Sequence, residues 1–364
     1  MATQKIPGRA IKIGTDTIGD VTYFDGSSWV RLPIGNPGDV LTMNDAGTFP
    51  QWHDRYSLQG QQYGYMMGGP GNGEDQCLID RFSLTSQTNA VAVGTMLTGT
   101  YGTNSSGSSS ETHGYSAGHV SYAGPQVFSN VIQKVSFAVA EADSTDVANL
   151  TVARTAAGGA TAINEQYGYC VAGHHTIPSS INTIDKYPFA SDSDATDVGD
   201  VTEPLLYYTG GSNSLTHGYR AGGYVNLPNN AGSEVIDKWP FASDTNASDV
   251  GNLLAVYSHV GAGFSSTTHG YTYGGLFNYD NNVDHIEKYS FATDGNSTDV
   301  GDMSLARYMA GGVSGKEHGY MCGGVAVPSS PNNRIDRVAY ATDTNATDWS
   351  DLTVRKKAGA GVQY

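Results

Sequence analysis

The dipeptide Gly-Tyr returns six times along the chain, at Gly64-Tyr65, Gly114-Tyr115, Gly168-Tyr169, Gly218-Tyr219, Gly270-Tyr271 and Gly319-Tyr320. Successive copies lie 49 to 54 residues apart, and His113, His217, His269 and His318 precede four of them. A unit of that length cannot bury its apolar face alone, so each copy must pack against its neighbours. Residues that recur in register then belong to the scaffold, and function is to be sought in the loops it displays.

The best-formed unit runs from Leu205 to Asp249. Leu205-Leu206-Tyr207-Tyr208 reads as a short apolar strand ending at Gly210-Gly211, followed by a Ser-rich turn and a second strand, His217 to Gly223. A third strand, Val235 to Phe241, leads into the acidic turn Ser243 to Asp249. Short β-rich runs bounded by Gly, Asn, Asp and Pro predict antiparallel strands joined by tight turns. No window has the 3.6-residue apolar period, so helices should be few. Pro188 and Pro240 cannot donate to a ladder, which predicts a sheet edge or a bulge at their strand. An Ile-x-Lys/Arg phrase recurs from Ile79-Asp80-Arg81 to Ile335-Asp336-Arg337. Its Ile should fill the core while the basic residue pairs across or extends along the surface.

Composition removes several function classes. Nineteen basic residues against 35 acidic ones give a net charge of -16, which lacks the basic footprint of a nucleic-acid or anionic-membrane partner. Cys77, Cys170 and Cys322 are odd in number and imply no disulfide framework. The segment Met1 to Lys12 has no apolar run, so neither a signal peptide nor membrane insertion is expected.

The doublet glycines and the residues after them resemble a divergent kelch repeat. The likeness rests on Tyr271-Thr272-Tyr273-Gly274-Gly275, on Ile286 to Phe291, and on Arg307. It departs from the family at the expected tryptophan, which only Trp349 supplies, Val198, Val250 and Val300 standing there elsewhere. The resemblance covers about Arg55 to Tyr364 and implies four-stranded blades. The expected fold is therefore all-β: a six-bladed β-propeller over 53–364, after a short hairpin-rich adaptor over 1–52. A glycine-ended strand near the end, Arg355 to Gly361, should complete the first blade and hide both open edges. The phrase Gly19-Asp20-Val21-Thr22-Tyr23-Phe24-Asp25-Gly26, running on to Trp29-Val30-Arg31-Leu32-Pro33, resembles the short adaptor regions of phage tail-fibre and related virion proteins.

A search for chemistry yields little. The acidic turn bearing Asp192, Asp194, Asp197 and Asp200 offers closely spaced oxygens, so calcium is the one cofactor to consider. It lacks the order of an EF-hand loop, and Asx turns use the same residues. The recurrent histidines would be spread around a ring, which favours packing, or a hydrogen bond that locks the Ser/Thr turn to its strand. No nucleophile elbow, phosphate loop or paired-cysteine metal motif occurs, so an enzyme is not expected.

The adaptor resemblance implies a virion component, in the tail, assembled in the host cytoplasm and working in host attachment. Partners would be other virion proteins and a host-surface glycan or protein, with a homo-oligomer, a trimer by analogy to tail fibres. Contact residues expected in the loops after the glycine doublets are His174, His175, Tyr224, Asn226, Phe277 and Tyr279, because aromatics stack on sugar faces and amides read hydroxyls. A capsid decoration or assembly role, and a polysaccharide-degrading propeller enzyme, stand as alternatives.

Overall fold

A computed structural model describes residues 17–35, 40–43, 48–53, 60–69, 77–97, 105–121, 127–139, 141–161, 166–176, 179–225, 231–277, 281–326 and 330–363. The fold is all-β and built of several antiparallel sheets, with no α-helix among the described residues. The chain falls into two compact units, residues 1–57 and 58–364.

The first unit holds two hairpins. Val21–Phe24 pairs with Trp29–Leu32, and Val40–Met43 with Pro50–His53. Asp25 sets the first turn by accepting the Ser27 and Ser28 amides at 2.8 Å each, beside Gly26 at φ 100°. The Asp20 carboxylate takes Arg31 Nε at 2.6 Å and the Ile34 amide at 2.8 Å, fixing where the second strand leaves.

In the second unit the repeat appears as a recurring set of four antiparallel strands. In the second repeat these are Ser106–Ser109, His113–Ser121, Val127–Ser136 and Thr145–Asn149. The fourth repeat uses Gly210–Asn213, His217–Val225, Ala231–Pro240 and the start of Ser248–Ser265. That last strand is 18 residues long: its first part pairs back to the fourth repeat, and its end becomes the first strand of the fifth. The first repeat is completed from the far end of the sequence, where Ala360–Gln363 pairs with Tyr63–Met67.

The first strands of the six sets touch one another in a cycle that returns to its start, from Ser106–Ser109 through Thr155–Thr161 and onward to Ala360–Gln363. Glycine makes this approach possible. A Cβ on Gly107 would stand 2.3 Å from the Gly361 carbonyl oxygen, and one on Gly361 2.1 Å from that of Gly312. The same relation links Gly312 to Gly263 at 2.0 Å and Gly263 to Gly211 at 2.4 Å. No side chain fits there. One turn further along these strands, amides and side chains connect the repeats in the same order. Asn213 N donates to Ser265 Oγ, Ser265 N to Ser314 Oγ, Ser314 N to Gln363 Oε1 and Gln363 N to Ser109 Oγ, over 2.9 to 3.4 Å.

The Ile-x-Lys/Arg phrase does two further jobs. Its isoleucines, Ile79 to Ile335, are buried, and its lysines pair with the acidic turn of the next repeat: Lys134–Asp192, Lys186–Asp244, Lys238–Asp294 and Lys288–Asp343, at 2.6 to 2.9 Å. The middle residue matters as much. Asp80, Asp185, Asp237 and Asp336 are fully buried, and each accepts from the connector that enters its repeat, at Thr353, Thr151, Thr202 and Ser304. A buried cation neutralises each, Lys356, Arg154, Arg220 and Arg307 respectively. An unpaired charge there would cost several kcal/mol. The second repeat carries neutral Gln133, which accepts from Ser144 instead.

Three expectations from the sequence need correction. Pro188 and Pro240 do not lie on an edge strand; each ends an internal strand that does carry a bulge, between Ile184 and Asp185 and between Ile236 and Asp237, short of the proline itself. Phe241 N, not Pro240, donates to Thr216 O, and the pairing with Ser248–Ser265 has ended at Lys238, so no ladder bond is lost. Leu205 to Tyr208 is not the first strand of its unit: Gly210-Gly211 opens that strand rather than ending it, because only glycine tolerates the crowding. For the same reason the closing strand is Ala360–Gln363, and Arg355 and Lys356 belong to the preceding strand, Thr347–Lys356.

Candidate functional site

The glycine doublets shape the face on which the expected contact residues stand. Gly222 (φ 63°) and Gly223 (φ 115°) adopt backbone that L side chains resist, and the register slips between Ala221 and Gly223. This bulge turns the strand just before its loop. Gly274 and Gly275 repeat it, with the slip between Tyr273 and Gly275.

Beyond these bulges runs an arc of rings contributed by successive repeats. Phe128 meets His174 edge-on at 4.8 Å between centroids, and His174 meets Tyr207 at 5.1 Å. Tyr207 lies against Tyr208 and Tyr224 at 5.4 and 6.4 Å. Both then pack on His259, at 4.9 and 5.9 Å, and His259 meets Tyr308 at 5.8 Å. The Tyr207 hydroxyl and His174 Nδ1 are 2.6 Å apart, which fixes both rings. His174 is buried, whereas Phe128, Tyr207, Tyr208, Tyr224, His259 and Tyr308 are half-buried and keep part of their surface in solvent. Burial pulls the His259 imidazole down to about 4, so this ring is uncharged at neutral pH.

One member of the arc, Tyr208, also lines a cavity of about 90 Å³ whose walls are Gly107, Gly211, Gly263, Gly312 and Gly361, with Thr209, Ala310 and Ala358. A volume of this size holds about three waters, far less than the roughly 300 Å³ of a small-molecule pocket. A larger ligand must therefore lie across its opening. Tyr208, Met309 and Ala358 share left-handed backbone, φ 53° to 55°, at corresponding positions two residues before each first strand. A non-glycine residue held there costs about 1 kcal/mol, a strain that concentrates at functional surfaces.

Of the expected contact residues, the structure brings His174 and Tyr224 into this arc. His175, next to His174, is half-buried and outside the ring contacts. Phe277 ends the strand His269–Phe277, is exposed, and joins no ring contact among the described residues. Asn226 and Tyr279 lie outside the described residues. Phe128, Tyr207, Tyr208, His259 and Tyr308 were not singled out from the sequence. A register signal was available for three of them, since Tyr207, His259 and Tyr308 each stand four residues before one of the closely packed glycines Gly211, Gly263 and Gly312.

The acidic turns stitch neighbouring repeats. Asp192 pairs with Lys134, Asp194 accepts the Asn149 amide at 2.8 Å and its side chain at 3.2 Å, and Asp197 accepts the Gly199 amide at 3.1 Å. The Asp200 amide donates to Asn246 of the next turn. These four aspartates do not form a cluster of ligand atoms; the described residues contain one such trio, Asp284, His285 and Asp302. The recurrent histidines lock their turns: the hydroxyls of Thr112, Thr216 and Thr268 each sit 2.8 Å from the Nδ1 of the following His. Their main-chain amides reach Ser110, Ser214 and Ser266 at 3.0 Å.

No known protein-family model and no curated protein sequence matches this chain. Any functional reading must start from the arc and the cavity that Tyr208 lines.

Proposed function

We propose that the chain is a six-bladed, kelch-like β-propeller of a phage virion, a tail-associated attachment protein that binds a host-surface glycan across the mouth of its axis. The recurring four-stranded sets and the cycle of glycine-packed strands support the propeller reading, with Ala360–Gln363 completing the first blade. The hairpin Val21–Phe24/Trp29–Leu32 contains the adaptor-like phrase and supports a docking role for residues 1–52.

The observation that carries the binding reading is the arc from Phe128 to Tyr308. Half-buried aromatic faces beside hydroxyls and the neutral His259 imidazole suit a sugar, whose C–H face stacks while its hydroxyls find partners. The cavity is far smaller than a small-molecule pocket, which favours binding across its opening over hydrolysis within it.

The test is binding of the purified protein to host cells and to isolated host polysaccharide. Tyr208→Ala, Tyr224→Ala and Tyr308→Ala should each weaken binding by about 5–150-fold, the loss of roughly 1–3 kcal/mol of desolvated stacking. Circular dichroism should be unchanged. Full binding by all three variants would remove the arc as the contact surface, and new reducing ends would replace attachment with hydrolysis.

A further inference from the structure

We propose that Asp284, His285 and Asp302 form a binding site for a divalent transition-metal ion on the fifth repeat, with zinc as the best match to the donor set. The three side chains come from paired strands, Asn281–Ser290 and Thr298–Asp302, with His285 directly opposite Asp302. Their ligand atoms all lie within 4.8 Å of one another, and each residue is half-buried. Donors around one tetrahedral zinc stand roughly 3.4 Å apart, so rotamer adjustment is enough to close the set. One imidazole with two carboxylates suits a borderline ion such as zinc better than calcium, which prefers oxygen alone.

Comparison among the repeats points independently to a cation. At the position of Asp284, three other repeats carry asparagine, and its amide donates to the main chain of the fourth strand. Asn130 Nδ2 reaches Leu150 O, Asn182 Nδ2 reaches Val201 O and Asn333 Nδ2 reaches Leu352 O, at 3.4 to 3.5 Å. The corresponding carbonyl in the fifth repeat is that of Met303, whose amide donates to Asp284 O just as the Leu150 amide donates to Asn130 O. A carboxylate has no hydrogen to offer that carbonyl. Asp284 thus gives up the scaffold bond and brings negative charge towards the carboxylate of Asp302. Among the described residues none of the three side chains has a hydrogen bond or ion-pair partner, while the aspartates of the neighbouring turns are engaged. A cation would neutralise both carboxylates and restore the lost contact, with the Met303 carbonyl placed as a fourth ligand.

The fourth repeat shows that one acid there is not enough to make the set: its residues are Glu234, Val235 and Asn252. In the sixth repeat Arg334 occupies the position of His285 and itself pairs with Asp348 at 3.4 Å, supplying a positive charge from the chain. Only the fifth repeat gathers two carboxylates and an imidazole and leaves them without a protein cation.

The sister repeats also supply test variants that keep the fold. Asp284→Asn restores the asparagine of the other repeats, and His285→Thr copies Thr183 of the third. Titration calorimetry with zinc, manganese and calcium on untagged protein should show one zinc per chain, bound more tightly than calcium. Each variant should lower zinc affinity at least tenfold, while Asp284→Asn keeps or raises the denaturation midpoint without metal. Asp200→Asn, in the third repeat, should bind zinc as the parent does. Absence of zinc uptake, zinc uptake unchanged in both site variants, or a preference for calcium would each overturn the assignment.

Discussion

Where the first strands of successive repeats touch, Gly107, Gly211, Gly263, Gly312 and Gly361 hold one residue type at one position of the repeat. Four residues earlier in the same repeats stand Tyr207, His259, Tyr308 and Lys357. The two regions lie on the same stretch of chain and follow opposite rules. A strand that must approach its neighbour's carbonyl within the reach of a Cβ accepts only glycine. Four residues earlier the side chains are half-buried, and the three rings meet other side chains rather than a neighbour's backbone, so sequence is free to differ between repeats. Uniformity marks what the scaffold needs, and variation marks where one repeat can do something its sisters do not. The same logic singles out Asp284 among asparagines.

The comparison predicts its largest effect at these glycines. Gly312→Ala places a Cβ 2.0 Å from the Gly263 carbonyl oxygen, and neither backbone can withdraw without disturbing the next contact in the cycle. We expect a loss on the order of 3 kcal/mol in urea unfolding, against little change for Tyr308→Ala in the arc. Equal stability of the two variants would break the distinction.

Acid should act next. Burial holds His119 and His259 at about 4, below the ordinary 6.5 of an unfolded chain, so the unfolded state binds more protons between those values. Stability from this source is complete above pH 6.5 and is lost as pH falls towards 4, by on the order of 2–3 kcal/mol for each imidazole. Unfolding midpoints measured across that range should fall with pH, and His259→Gln should flatten the curve. A slope unchanged by that substitution would show that the arc does not hold its histidine neutral.

The smallest effect belongs to the outer surface. Lys238–Asp294 and its three sister pairs join neighbouring repeats, but the aspartates keep about half their surface in water. Lys238→Met should cost less than about 1 kcal/mol. A larger loss in a double-mutant cycle with Asp294→Asn would make these stitches part of the scaffold's main cohesion.

The sequence made the repeat legible because Gly-Tyr, Ile-x-Lys and the acidic turn recur in strict register. It also indicated that the last strand returns to Gly64-Tyr65, where Gln363 now pairs with Gly64. Other features were hidden. Leu205 to Tyr208 looked like a core strand because apolar residues usually mark one; the crowding that makes Gly210-Gly211 the true strand is a relation between repeats, invisible within one. The buried carboxylates were obscured in a similar way. Asp80 lies between an apolar and a basic residue and reads as surface, yet its partners Thr353 and Lys356 are more than 270 residues away. Two of the arc's seven rings, His174 and Tyr224, were recoverable from loop position. Phe128, His259 and Tyr308 join the arc only because separate repeats bring their rings together.

The pairing of Ala360–Gln363 with Tyr63–Met67 has a consequence for biosynthesis. Once Thr95 has been made, roughly 265 further residues must be added before Ala360 exists, which at about 5–20 residues per second takes tens of seconds. Throughout that interval Tyr63–Met67 has no first strand beside it, and a bare row of amides and carbonyls faces the crowded interior of the cell. The order in which the ribosome delivers the chain is thus the reverse of what the first sheet needs, and that sheet is completed only after the strands of the other repeats have been made.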